Sequence, residues 1–128
     1  MRTPSLAGVG LRNYKELEVW QQAKAFAVQI YRATEAFPRS ELFGLTNQLR
    51  RAPVSVPANI AEGWGRGSTK ECIQFLTIAR GSLMELETHA IIAGDLGYLK
   101  TPEVESFQES IQRIGQMLNR LLQALRNR

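Results

Sequence analysis

Cys72 and His89 are the side chains of this 128-residue sequence that could act as a nucleophile and a base. A cysteine nucleophile needs a base within hydrogen-bond reach, but His89 lies seventeen positions further along the same predicted helix. A zinc site needs three or four convergent ligands, and His89 has only Glu85 at a useful spacing. We therefore interpret Cys72 as core packing and His89 as a surface or interface residue. The sequence predicts no catalytic residue, no metal and no cofactor, so we expect a protein that is not an enzyme.

A glycine-rich segment between Gly63 and Lys70 leads directly into a predicted helix and could hold an anion. Its glycines can adopt the positive φ of a helix terminus or tight turn, and the free amides of a helix N-terminus attract anions. However, no strand precedes the segment, and the Gly-Lys-Ser/Thr order of a nucleotide P-loop is missing. We interpret it as a turn between two helices, and a contact with a nucleic-acid phosphate stays open.

Basic residues outnumber acidic ones by five to two between positions 39 and 70, which is typical of an electrostatic footprint for RNA or DNA. The candidates for phosphate contacts, with one tryptophan that could stack on a base, are Arg50, Arg51, Arg66, Lys70 and Trp64. In the alternative interpretation, the arginines are neutralised by ion pairs and the indole packs as a lid. The carboxylates available for such pairs are Glu62, Glu85 and Glu87.

We expect Glu85 to form an ion pair, because it could lie beside the buried stripe of its helix, where a charge needs a partner. We expect Arg50 or Arg51 to supply that partner. The resulting ion pair would hold two helices in register, and it would have no role in acid–base chemistry.

Apolar residues recur at steps of three and four in four segments, which predicts four helices and no β-strand. We expect these helices at residues 17–37, 45–61, 68–94 and 101–125. The stripe of the third is Cys72, Leu76, Ala79, Leu83, Leu86, Ala90 and Ala93. The stripe of the fourth is Val104, Phe107, Ile111, Ile114, Leu118, Leu121 and Leu125. Short connections favour antiparallel neighbours, so the fold class is all-α: an up-down antiparallel four-helix bundle over residues 14–128, preceded by a flexible N-terminal arm over residues 1–13.

The ends and interior of these helices carry recognisable signals. Ser68 and Glu71 have the spacing of a capping box, and Thr101 followed by a proline is typical of an N-cap. Pro53 and Pro57 each remove a backbone donor from the second helix. We therefore expect a bent helix there, or two short ones.

Composition restricts where the chain acts and with what. The net charge of +4 favours polyanions mildly. The single cysteine fits a reducing compartment. No signal pattern or apolar run of about 20 residues is present, so we expect a cytoplasmic protein without a membrane partner. Apolar residues outside the narrow stripes predict self-association, although broad stripes could also simply close a core; they are Val28, Tyr31, Ile73, Ile92, Met117 and Leu122.

One stretch resembles a known family: Arg50-Arg51-Ala52-Pro53-Val54-Ser55-Val56-Pro57-Ala58-Asn59-Ile60-Ala61-Glu62-Gly63-Trp64-Gly65-Arg66-Gly67. It is similar to the signature of the 23S rRNA intervening-sequence proteins, a bacterial four-helix-bundle family. Three further segments resemble the same family in the same order: Tyr14-Lys15-Glu16-Leu17-Glu18-Val19-Trp20, Phe43-Gly44-Leu45-Thr46-Asn47-Gln48-Leu49 and Gly81-Ser82-Leu83-Met84-Glu85-Leu86-Glu87-Thr88. The resemblance covers roughly residues 13 to 100.

The resemblance implies a left-handed antiparallel bundle that assembles as a ring, typically a pentamer, and has no catalytic activity. The motif residues to which it gives a structural role are Asn59, Glu62, Gly63, Gly65, Gly67, Glu85 and Glu87. The relatives of the family include the accessory proteins of diversity-generating retroelements, which are basic bundles that bind nucleic acid and a reverse transcriptase. Two hypotheses follow: a nucleic-acid-binding accessory protein, or a structural or protein–protein interaction scaffold that binds no nucleic acid.

Overall fold

The computed structural model describes residues 13–127, and within them the chain forms four α-helices and no β-strand. The helices are α1 (Glu18–Ala33), α2 (Leu45–Trp64), α3 (Thr69–Asp95) and α4 (Thr101–Arg126). Short 3-10 turns occupy Tyr14–Glu16, Thr34–Ala36 and Arg39–Glu41. The predicted all-α class with four helices in a single domain is confirmed.

The N-terminal prediction can be compared with the structure only at its last residue. Residues 1–12 of the expected arm lie outside the described residues. At the next position the Asn13 side chain accepts a hydrogen bond from the Lys15 amide at 2.8 Å, and it thereby caps the turn Tyr14–Glu16. Within the described residues, a capped turn therefore leads into α1.

The four helices enclose one hydrophobic core. Each helix packs against the next along the chain, with α2 and α3 in the most extensive contact, and α1 also meets α4. This packing is compatible with an up-down arrangement. The predicted stripe of α3 is confirmed at every position, because all seven of its residues are buried. No helix in the described part of the chain is long and apolar enough to cross a bilayer.

The stripe of α4 differs from the prediction at its C-terminal end. Leu122 is fully buried, whereas Leu121 is only partly buried against the core. A step of four from the buried Leu118 brings Leu122 to the same face, because four residues exceed one helical turn by only a small angle. Of the other residues expected outside the core, Ile73 and Met117 pack partly against it, while Val28, Tyr31 and Ile92 are exposed.

Pro53 and Pro57 lie inside one continuous helix, which excludes the second of the two predicted alternatives, a pair of short helices. Each proline removes an amide donor from the helical ladder. Both rings are buried, and the burial of their apolar surface offsets part of that loss. The helix also runs three residues further than expected, to Trp64.

The predicted helix caps are confirmed in part. Ser68 Oγ accepts a hydrogen bond from the Glu71 amide at 3.1 Å, as predicted for the start of α3. The return bond from Glu71 does not form, and the Glu71 carboxylate instead lies 3.9 Å from Arg66 Nε. At α4 the prediction was off by one residue. Lys100 is the N-cap, and its amide donates to Glu103 Oε1 at 2.9 Å.

Glu41 connects two chain reversals at one end of the bundle. Its Oε2 accepts a hydrogen bond from the Tyr98 hydroxyl at 3.0 Å, and its Oε1 accepts from the Leu45 amide at 3.1 Å. The hydrogen bond to this carboxylate raises the pKa of the Tyr98 phenol above its ordinary value. The carboxylate thereby fixes the start of α2 against the α3–α4 connection.

Candidate nucleic-acid interface

The sequence candidates fall into two separate regions of the structure. Arg50 and Arg51 lie in the N-terminal half of α2, where they line a surface cavity beside α1. Arg66 and Lys70 lie on either side of the start of α3. Two of the four basic candidates therefore share a cavity, and the other two lie at the α2–α3 turn and in the first turn of α3.

Arg50 is held in a fixed position on the α1–α2 surface. Its Nε donates to Thr34 Oγ1 at 2.9 Å, and its Nη2 donates to the Tyr31 carbonyl oxygen at 3.2 Å. The guanidinium also lies 4.8 Å from the centre of the Tyr31 ring, a cation–π distance. No described carboxylate forms an ion pair with Arg50. Its orientation is fixed by neutral groups, so its charge remains available to an anion.

Arg51 has no hydrogen-bond or ion-pair partner among residues 13–127, and its side chain is exposed. The expected pair between Glu85 and an α2 arginine does not form. Glu85 is exposed and has no partner in the described part of the chain. Because solvent satisfies this carboxylate, it needs no buried cation, and the register-fixing role predicted for it is wrong.

The cavity that contains both arginines has a volume of about 500 Å³. Its lining residues are Tyr31, Leu42, Thr46, Asn47, Arg50, Arg51, Val54 and Ser55. A second cavity of about 480 Å³ adjoins it and shares two of those residues. The lining of the second is Lys24, Ala27, Val28, Tyr31, Arg32, Val54 and Pro57. We call these two adjoining cavities the α1–α2 groove.

The α1–α2 groove has a one-sided charge. Four cationic residues line it, namely Lys24, Arg32, Arg50 and Arg51, and none of the described residues that line either cavity is acidic. Charges of one sign in a concave surface concentrate the potential there and attract counter-ions of the opposite sign. The groove is thus the strongest candidate for an anion-binding surface in the described part of the chain.

The α1 half of this groove was missed in the sequence. Lys24 and Arg32 are eight residues apart on α1, and Val28 lies midway between them, so all three share one face. Val28 and Tyr31 were noted only as apolar residues for self-association. The spacing of four residues on this outward face of α1 is the sequence signal that identifies the groove residues on that helix.

Arg66 is less available than the α2 arginines. Its Nη2 lies 3.3 Å from Glu62 Oε2, its Nε lies 3.9 Å from Glu71 Oε2, and its guanidinium lies 4.7 Å from the centre of the Phe75 ring. Lys70 is exposed and has no partner among the described residues. The turn region therefore combines a neutralised arginine with one free lysine.

Trp64 does not present its ring to solvent, because only 7% of the residue is exposed and it belongs to the core. The prediction that it stacks on a base is therefore not supported by this structure, and the alternative of a packed indole describes the arrangement. The burial has a simple origin, since α2 continues to Trp64 and carries the indole onto the core face.

The motif glycines do not adopt the positive φ that was predicted for them, although Gly65 ends α2 as expected. Among the described residues only Gly97 has a positive φ, of 81°, so Gly63, Gly65 and Gly67 do not need one. Gly65 is the C-cap of α2 with φ −77°. Gly63 is buried where α2 and α3 approach each other closely. At this position the absence of a side chain matters for packing.

One polar motif residue, Asn59, belongs to a set of hydrogen bonds between α2 and α3. The Asn59 side-chain amide donates to the Ser55 carbonyl oxygen at 2.8 Å and to Ser55 Oγ at 2.9 Å. Ser55 Oγ is in turn 2.8 Å from Ser82 Oγ on α3. Glu87, by contrast, lines a shallow cavity between α3 and α4. Asn59 therefore supports a polar link between two helices.

The residues considered for chemistry do not assemble into a reactive site. Cys72 is fully buried, and burial raises the pKa of its thiol from 9.0 to about 11. His89 is half-buried, and its Nδ1 has no hydrogen-bond partner within the described chain. Residues 13–127 contain no group of three or more His, Cys, Asp or Glu side chains arranged to hold a metal.

Fold and groove together define a small all-α helical protein with a basic groove between its first two helices. The chain belongs to the family of 23S rRNA-intervening sequence proteins, whose sequence profile matches residues 15–120. A comparison with curated proteins gave no match. Among solved structures, the chain is similar to a protein with unknown function from the S23 ribosomal protein family of Bacteroides thetaiotaomicron VPI-5482. The sequence identity is 24%, the TM-score is 0.73, and the match covers 81% of this chain and 97% of the other.

Proposed function

We propose that this protein is a non-enzymatic, self-associating four-helix bundle of up-down antiparallel topology that binds the phosphate backbone of RNA through its α1–α2 groove. The observation that carries this proposal is the presence of four cationic side chains and no carboxylate along the two adjoining cavities. The proposal is also supported by analogy: the sequence resemblance relates the chain to the accessory proteins of diversity-generating retroelements, which bind nucleic acid.

The physical basis is counter-ion release. A cation that neutralises a phosphate frees a condensed counter-ion, so the affinity falls steeply as salt is added. Cations already paired with carboxylates contribute less, because their charge is compensated within the protein. Arg32 and Arg51 have no such partner among residues 13–127, and Arg50 is held by a hydroxyl, a carbonyl and a ring. These residues therefore support binding to phosphate groups without base-sequence preference, on RNA or on DNA.

The test is the affinity of the protein for a fluorescently labelled, structured RNA, measured by anisotropy across a salt series. We expect log K to fall by about 3 per decade of salt if the four groove cations each contact one phosphate. The variant Arg32→Gln/Arg51→Gln is expected to bind about tenfold more weakly and to show a slope smaller by roughly 1.5. Neither side chain has a partner among residues 13–127, so the variant should fold normally.

Two control variants remove the same charge elsewhere. Arg113→Gln/Arg120→Gln takes two exposed cations from α4, and Arg66→Gln/Lys70→Gln takes two from the α2–α3 turn. Both should keep nearly wild-type affinity. An equal loss in all three variants would assign binding to overall charge, and a loss only with Arg66→Gln/Lys70→Gln would move the site to the turn. No binding even at low salt would refute RNA binding altogether.

A second candidate function, a protein-interaction scaffold, is favoured by the exposed apolar side chains. Phe43 is 91% exposed in the connection between α1 and α2, and Leu42 beside it is half-exposed. Large apolar side chains that cluster on a surface mark contact sites. We propose that this segment contacts a second copy of the chain, and the same surface would serve a different protein partner in a scaffold.

Self-association is tested by light scattering coupled to size-exclusion chromatography. A ring of five, the size implied by the sequence resemblance, would have a mass of about 72 kDa, five times the 14.4 kDa of the chain. Phe43→Ser is expected to shift the mass towards that of the single chain, because it removes the most exposed aromatic ring. Met84→Ser, which changes a half-exposed residue of α3, should keep the wild-type mass. A wild-type mass of 14.4 kDa at all concentrations would disprove the assembly.

A further inference from the structure

The apolar half of the α1–α2 groove indicates which class of nucleic acid the groove can bind. Val28 and Val54 lie on α1 and α2, line the cavity of about 480 Å³, and are 46% and 44% exposed. Lys24 and Arg32 line the same cavity with their long aliphatic stems, and the Lys24 ammonium lies 5.4 Å from the centre of the Trp20 ring. The groove thus combines an apolar floor with cationic groups on both helices.

An apolar floor with cationic groups beside it fits a single strand of nucleic acid better than a duplex. A duplex presents phosphates and sugars on its outside and keeps the flat faces of its bases stacked inside. An apolar cavity under a duplex would gain nothing from the contact. A single strand can turn an unstacked base out of the chain, bury it against an apolar surface, and leave the phosphates beside it for cations.

The pair formed by Tyr31 and Arg50 links the two cavities. Tyr31 lines both cavities, the residue is 44% exposed, and the Arg50 guanidinium lies 4.8 Å from the centre of its ring. The two hydrogen bonds of Arg50 fix this stacked pair in place. A partly exposed aromatic ring beside an apolar cavity offers a surface on which a base can pack.

We infer that the α1–α2 groove is specific for single-stranded nucleic acid, with one unstacked base packed in the apolar cavity and the adjacent phosphates bound by Lys24, Arg32, Arg50 and Arg51. This inference rests on the proposed RNA-binding function and deepens it. The cavity volume of about 480 Å³ lies within the range that holds small ligands, roughly 300–1,000 Å³. Because the cavity offers no donor or acceptor pattern beyond its cationic rim, it accepts any base.

The experiment compares a labelled single-stranded RNA of twelve nucleotides with the duplex of the same sequence, by anisotropy at one fixed ionic strength. Wild-type protein is expected to bind the single strand at least about tenfold more tightly than the duplex. The variant Val28→Thr/Val54→Thr keeps the shape and charge of both side chains and replaces one methyl group of each with a hydroxyl. It should weaken single-strand binding about tenfold and leave duplex binding and the salt slope unchanged.

The control variant Ile91→Thr/Ile92→Thr replaces an ethyl group of each residue with a hydroxyl at exposed positions on α3, a larger loss of apolar surface, and should still bind both RNAs like wild type. Equal wild-type affinity for the two RNAs, or a Val28→Thr/Val54→Thr variant that loses both equally, would overturn the inference and leave RNA binding standing. A protein that binds neither RNA would refute the proposed function, and the inference would fall with it.

Discussion

Replacing Gly63 with valine is expected to lower the free energy of unfolding by about 3 kcal/mol. A Cβ atom at position 63 would lie 3.2 Å from Phe75 Cβ and 3.3 Å from the Cys72 carbonyl oxygen. Both distances are shorter than an unstrained contact, and one of the atoms belongs to the backbone of α3, which cannot rotate away. The additional methyl groups of valine would force α2 and α3 apart at this close contact.

The measurement is urea denaturation followed by circular dichroism at a fixed protein concentration, because self-association would otherwise contribute to the apparent stability. Gly81→Ala is the control. Gly81 lies inside α3, and a Cβ there would meet no atom within 4 Å, so alanine should raise stability by up to about 1 kcal/mol through its helix propensity. If Gly63→Val and Gly81→Ala changed stability in the same direction, close packing at Gly63 would not explain its presence.

The second large effect concerns alkaline pH. Burial raises the pKa of the Cys72 thiol from 9.0 to about 11 in the folded chain. Between these values the unfolded chain releases the thiol proton and the folded chain keeps it, so deprotonation favours unfolding. Below pH 9 the thiol therefore causes no loss in the free energy of unfolding. As the pH rises towards 11, ionisation of the thiol lowers this free energy by roughly 2 to 3 kcal/mol in total.

This contribution is isolated by comparing wild type with Cys72→Ala, because other groups also titrate above pH 9. Unfolding free energies of both proteins should be measured from pH 8 to pH 11. We expect the wild-type curve to fall more steeply by about 2 to 3 kcal/mol across that interval. Parallel curves would show that Cys72 ionises as easily in the folded protein as in the unfolded one. An independent check is reaction with a thiol reagent at pH 8, which should be slow until denaturant is added.

The sequence predicted the parts of the fold that depend on local periodicity. Every residue of the α3 stripe is buried as expected, because steps of three and four place residues on one face of a helix whatever surrounds it. The error at Leu121 and Leu122 has the same origin. Both positions continue a step of three or four, and only the partner helices decide which of the two turns inward.

The candidate site was predicted only in part, because its halves are distant in the sequence. Arg50 and Arg51 were found from local charge, but Lys24 and Arg32 come from α1 and join them only after the helices pack. Trp64 and Gly63 were misinterpreted for a related reason. Their roles depend on how far α2 extends and on how closely α3 approaches, which are tertiary properties that a motif in one segment does not contain.

The connections between the helices are held in place in two different ways. The hydrogen bond from Tyr98 to Glu41 joins positions 57 residues apart, so the α1–α2 and α3–α4 connections form one structural unit. In the turn between α2 and α3, Arg66 contacts Glu62, Glu71 and Phe75, all close to it in sequence, so this turn is self-contained. For protein engineering, this asymmetry makes the Gly65–Ser68 turn the natural place for an inserted tag, a cleavage site or new chain termini, whereas an insertion beside Glu41 or Tyr98 would disturb both connections at once.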